Sequence, residues 1–281
     1  MKIAITSDSV IDLTRELLEK YDIKIVPVTI IVGDDVYDDG EISTQEIFDY
    51  VHKTGVLPKT SAVNEARYAD TFKALLNDYD AVIHFSLSSQ MSASNMNAIN
   101  ASKQFDGKVE VIDSASLSTG VALQAIYARE LTETESDIHV IAEKVRARTN
   151  SVQASFVVER LDFLYKGGRC SSLALLGANL LKIRPQIIVK DGKMGSYKKY
   201  RGPMPLVIKK YCEDTFNEFN TPDKKICFIT YSSATPEMIA SAKEVVSEMG
   251  FENVYETTAG ATISSHCGEN TLGILYYNDG K

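Results

Sequence analysis

A chain of 281 residues with 44% hydrophobic side chains has enough apolar material for two cores, so two domains are expected. Its net charge of -8, from 30 basic and 38 acidic residues, argues against the broad basic face that a phosphate backbone requires, and no nucleic-acid partner is expected. No stretch approaches the ~18 apolar residues of a membrane span, and Cys170, Cys212, Cys227 and Cys267 are scattered without a C-x-x-C spacing. The composition therefore reads as a cytoplasmic protein with reduced thiols, no zinc and no disulfides.

In chain order, "KIAIT" (2–6), "IKIVPVTIIV" (23–32), "AVIHFSL" (81–87) and "VEVIDS" (109–114) are apolar, β-branched runs separated by helical patterns. That rhythm predicts a Rossmann-like, mainly parallel sheet with helices on both faces over residues 1–150. Ser43 with Glu46 forms a capping-box pattern, and Asn64 precedes the helical run "EARYADTFKALL". From about residue 150 the pattern changes. The strand-like "QASFVV" is followed by the polar turn "KGGRCSS", the apolar helix "LALLGANLLKI" (173–183) and a hairpin about Asp191-Gly192. A helix over 203–219, the strand "KICFITYS", a helix opened by Pro236 and strands near 253–257 and 271–277 complete residues 151–281. This half reads as a second α/β domain with a mixed sheet.

Ligands of open parallel sheets sit beyond the carboxyl ends of the strands, where loops lead into helix N-termini. Three such loops are rich in hydroxyls here: "TSDSV", "SLSSQMSAS" and "DSASLSTG". Hydroxyls beside unpaired helix N–H groups can serve the two oxygens of a carboxylate; the plainer alternative is that these residues only cap helices. Neither G-x-G-x-x-G after a strand nor G-x-x-x-x-G-K-[ST] occurs, so neither common nucleotide cradle is available and no cofactor is expected. His266, in "SSHCG" just before an apolar strand, is a candidate donor pointing into a cleft between the domains, or a loop histidine with ordinary hydrogen bonds. His52, His84 and His139 have no metal-type spacing with it. Ser92 and His266 could also be a nucleophile and its base, although no G-x-S-x-G elbow is present. The helix 173–183 is apolar around most of its circumference and belongs either to a core or to the wall of an apolar cavity.

The segments "TSDSVIDL" (6–13), "PKTS" (58–61), "SSQMSAS" (88–94), "GGRCS" (167–171), "LLKIRPQIIVKDGK" (180–193), "YRG" (200–202) and "SSHCG" (264–268) together resemble the DegV family, which includes the fatty-acid-binding subunits of bacterial fatty acid kinase. The resemblance implies one long-chain fatty acid enclosed between two domains. Its carboxylate would be held at Thr60, Ser61, Ser92, Ala93 and His266. It also implies no chemistry by the chain alone: the bound acid is presented to a separate kinase that forms an acyl phosphate, which can feed phospholipid synthesis. Arg169 and Arg201 match basic positions of the family; Arg201 is the candidate for a partner or transient membrane-surface contact, the alternative being a solvated charge run. Ala93 and Ser94 stand where the family pattern has Gly-Thr, and Cys267, Glu269 and Asn270 alter the segment about His266. The rivals from another class are a serine-dependent acyl hydrolase and a domain with its own phosphoryl-transfer activity.

Overall fold

The computed structural model describes residues 1–170 and 183–280. The predicted apolar helix 173–183 therefore lies, apart from Ile183, outside the described residues.

Strands β1 (Ile3–Asp8), β2 (Ile23–Val26), β6 (Ala81–Ser86) and β7 (Val109–Asp113) form a wholly parallel sheet in the order β2-β1-β6-β7. Successive side chains of a strand face opposite sides, and here both sides are covered. Ile3 and Ile5 of β1 pack into a cluster with α5 (Thr119–Leu131) and α6 (Ile138–Arg146). Ala4, between them, joins Tyr68 and Phe72 of α3 (Glu65–Leu75) and Ala98 of α4 (Ser94–Ser102) on the other side. The expected helix starts are present: Ser43 and Glu46 make a reciprocal capping box on α2 (Thr44–Thr54), and Asn64 accepts from Arg67 N at 2.9 Å.

One predicted strand divides. Pro27 has no N–H to give a ladder and holds φ near −65°, so the run 23–32 breaks there and the chain leaves the parallel sheet. Its second part, β3 (Thr29–Val32), joins an antiparallel sheet with β4 (Asp35–Asp38) and β5 (Lys59–Ser61). That small sheet places Thr60 opposite Ile30.

The second sheet is mixed, in the order β10-β9-β8-β13-β11-β12. Its strands are β8 (Val152–Val157), β9 (Arg184–Lys190), β10 (Lys193–Tyr200), β11 (Ile226–Tyr231), β12 (Asn253–Thr258) and β13 (Leu272–Tyr277). Only β11 and β12 pair in parallel. One face packs on α8 (Met204–Glu218) and α9 (Pro236–Ser247). The other meets α5, because Ala154, Ile226, Phe228 and Leu275 share the cluster of Val121 and Leu123. Helix α5 is thus buried between two sheets, which is why nearly every residue from Thr119 to Ala128 is apolar or small and enclosed. The layers run α3/α4, parallel sheet, α5/α6, mixed sheet, α8/α9.

Candidate functional site

A cavity of about 260 Å³ opens where the two sheets and the small antiparallel sheet converge. Its polar lining carries Thr60, Ser61, Ser92, Arg169 and His266, with Ala93 beside Ser92, and Thr262, whose hydroxyl is buried without a partner; the rest of the wall includes Val28, Leu87, Met91, Leu117, Met194, Ile263 and Cys267. Six of the predicted site residues are therefore gathered on one surface, although they come from four separated segments. Arg201 is not among them. It stands exposed beyond the end of β10, outside this lining. A smaller hollow of about 30 Å³ shares Leu117, Ile263 and Cys267 and continues the apolar wall to Phe156, Gly273 and Leu275 in the mixed sheet.

His266 lies in the last turn of a short helix, α10 (Ala261–Cys267), rather than in a loop. Gly268 just after Cys267 was the sequence signal for a helix end: its φ is 75°, and its N–H reaches Ser264 O at 2.9 Å. The start of α10 is docked between two acidic residues from the first half of the chain. Gly260 N donates to Asp12 Oδ1 at 2.8 Å, and a Cβ on Gly260 would stand 3.4 Å from an oxygen of either Asp12 or Asp39. Asp39 is itself fixed by the Ser9 hydroxyl at 2.8 Å. Asp12 also accepts the Ser118 hydroxyl at 2.5 Å. Burial, with the Asp39 charge adding to it and the two hydrogen bonds opposing it, pushes the Asp12 carboxyl up to about 8.

At the other end of α10 the imidazole Nε2 stands 2.9 Å from Thr60 Oγ1. Its Nδ1 is buried without a partner, pressed on Gly167, where a Cβ would come within 2.7 Å of it. Gly167, the last residue of α7 (Asp162–Gly167), thus makes room for the ring. Burial, reinforced by the nearby Arg169 guanidinium, lowers the His266 pKa to about 4, so the ring is neutral at neutral pH. Arg169 itself is exposed at the rim, and its Nη1 donates to Gly167 O at 2.7 Å.

The serine-rich loop separates into structural and available hydroxyls. Ser86 donates to Ile112 O at 3.3 Å and accepts from Asn95 Nδ2 at 2.8 Å; Ser88 donates to Gly192 O at 2.7 Å and so ties the β9–β10 turn to the parallel sheet. Ser94 is buried. Ser92 remains at the cavity wall, donating to Ser94 Oγ at 3.0 Å and accepting Ser94 N at 3.1 Å. Ala93, at the start of α4, is exposed and offers no side-chain cap. Ser92 and His266 do not form a nucleophile–base pair: the imidazole is engaged by Thr60 and the hydroxyl by Ser94. Sequence reasoning missed the buried Asp8 and Tyr68 behind the serine-rich loop; the signal was Asp8, an acidic residue closing a strand whose six residues are all buried.

The fold and the cavity define a two-domain α/β protein with an open, largely apolar cavity where its sheets converge, lined in part by hydroxyls and an imidazole. The sequence profile of the DegV family, described as uncharacterised proteins, matches residues 2–279, and the chain belongs to that family. It is similar to a fatty acid-binding protein of Thermotoga maritima, 31% identical over 97% of this chain and 96% of that protein. Among solved structures, a DegV family protein of Thermus thermophilus described for its fatty acid binding superposes with a TM-score of 0.89 at 26% identity, covering 99% of this chain and 100% of that one. A stearic acid-binding protein of Eubacterium ventriosum superposes with a TM-score of 0.86 at 26% identity, covering 98% of both chains.

Proposed function

We propose that this protein binds a long-chain fatty acid in the space between its two sheets, with the head group at Thr60, Ser61, Ser92, Ala93 and His266. The observation that carries the reading is the asymmetry of the cavity, with hydroxyls and an imidazole at one end and an apolar wall leading toward Phe156 and Leu275. Each methylene of a tail buried there would contribute roughly 0.8 kcal/mol, so the tail supplies affinity and the polar end supplies orientation. The relatives described as binding fatty acids or stearic acid support the same ligand class.

The finer reading is that the chain is a carrier that presents the head group to a separate kinase for acyl phosphate formation. The exposed Arg169 beside the polar end supports it, as a cation placed where a partner would approach. Arg201, exposed and remote from the lining, is the candidate for a partner or membrane-surface contact. The division near residue 150 and a cytoplasmic location belong to this reading; no described helix is long and apolar enough to cross a membrane. Mass spectrometry of gently purified protein tests the ligand, since a buried tail should be retained. Lipid-free protein with no thermal shift on adding long-chain fatty acids would reject the carrier. Acyl phosphate formation from ATP only when a kinase fraction is added tests the presentation step, and formation by the chain alone would overturn it.

A further inference from the structure

Helix α10 contributes four residues to the cavity wall: Thr262, Ile263, His266 and Cys267. Positions four apart share a face of a helix, so the four form two stripes. Ile263 and Cys267 make the apolar stripe and pack with Leu117 and Phe156. Thr262 and His266 make the polar one, and of these two only His266 belongs to the head-group site proposed above.

The other hydroxyls of this helix are spent on the chain itself. Ser264 donates to Ala259 O at 3.1 Å and Ser265 to Ala261 O at 2.7 Å. Ser265 thus uses the carbonyl four residues back, a common outlet for a hydroxyl in a helix. Thr262 has no such outlet. It is the second residue of α10, and four residues back lies Thr258, which still belongs to strand β12. Its backbone N–H meets Asp39 Oδ1 at 3.4 Å, but its Oγ1 is buried without a partner, in a residue that is 4% exposed. A buried hydroxyl left unmet is costly, so a bound molecule that brings an oxygen to it gains affinity. A plain methylene chain running past Ile263 cannot supply one; it displaces solvent and leaves Thr262 unmet.

We infer that Thr262 is a specificity residue for fatty acids that carry a hydroxyl on one of the first carbons after the carboxyl group, of which the β-hydroxy acids are the type. The helix sets the position. Residues four apart are separated by about 6 Å along the axis, so a carboxyl group held at His266 and Thr60 brings the carbons nearest to it, and not the far tail, against Thr262. A ligand hydroxyl can donate or accept there, and so can Thr262. This inference rests on the lipid reading of the same cavity.

The test is competition against a fluorescent fatty acid by dodecanoic acid, its β-hydroxy derivative and its ω-hydroxy derivative, on the wild type, Thr262→Val and Thr262→Ser. The wild type should bind the β-hydroxy acid at least as tightly as the parent acid. In Thr262→Val, which keeps the shape and removes the hydroxyl, the β-hydroxy acid should fall by about fivefold to tenfold relative to the parent. Thr262→Ser should keep the wild-type ratio, and the ratio of ω-hydroxy acid to parent should be the same in all three proteins. Thr262→Ala gives the same readout as the valine variant if that protein does not fold. A β-hydroxy acid that binds the wild type about tenfold or more below its parent, a ratio unmoved by loss of the hydroxyl, or an equal fall for all three acids would overturn the inference and leave the lipid reading standing. No binding of any of the three acids to the wild type would overturn both.

Discussion

The two ends of the cavity are built by opposite strategies. At the polar end, each hydroxyl or ring comes from a different local device: Thr60 from a three-residue edge strand, Ser92 from the turn before α4, and His266 from the last turn of α10. At the apolar end, Leu117, Phe156, Ile263 and Cys267 are simply members of or neighbours to one packed cluster between the sheets. The polar end therefore depends on a few hydrogen bonds and close approaches, whereas the apolar end depends on distributed packing. Substitutions should separate ligand retention from stability at the first and couple them at the second.

The largest expected effect is on retention. Ser92→Ala and His266→Ala should each lower fatty acid binding by about tenfold or more, ~1.4 kcal/mol, while the melting temperature without ligand moves little, as seen by competition binding and thermal unfolding. An equal loss of melting temperature would make both residues structural and dissolve the contrast. At the apolar end, Gly273→Ala places a Cβ 2.5 Å from the Ser155 carbonyl oxygen and 2.9 Å from the Phe156 Cβ. It should cost ~1–3 kcal/mol of folding stability in denaturant titration, and an unchanged midpoint would show that this wall yields more readily than packing implies.

A pH-dependent effect concerns the joint between the halves. Asp12 is raised from its ordinary 3.8 to about 8 by burial, so between those values the folded chain binds the proton that the unfolded chain releases. The stability this group contributes is complete below about pH 4 and is lost as pH rises through about 8. Asp12→Asn, which keeps an acceptor for Gly260 N, should flatten that fall, so that its melting temperature gains on the wild type steadily toward alkaline pH. Parallel curves for the two proteins would show that Asp12 is ionised in the fold.

Much of the frame was legible in the sequence because its signals are local. The four β-branched runs, the Ser43–Glu46 box, the Asn64 cap and the Asp191-Gly192 turn each act within a few residues. The strand break at Pro27 was written there too, but an apolar run on both sides of it concealed the change of sheet. The strand "KTS" has no hydrophobic alternation to reveal it, since it is a short, largely exposed edge. At the site, the residue types at Thr60, Ser92 and His266 could be picked out, whereas their hydrogen bonds could not. The approach of His266 to Thr60 spans 206 positions, and that of Tyr68 to Asp8 spans 60. Whether a serine caps, ties or lines is decided by such long-range contacts.

The most direct test of the central claim is a crystal structure of the protein grown with a long-chain fatty acid. The head group should lie within about 3 Å of the Thr60 and Ser92 hydroxyls, with the tail running past Leu117 and Ile263 between the two sheets. A head group turned toward Phe156 and Gly273, or a ligand confined to the outer surface over a cavity filled by side chains, would contradict it.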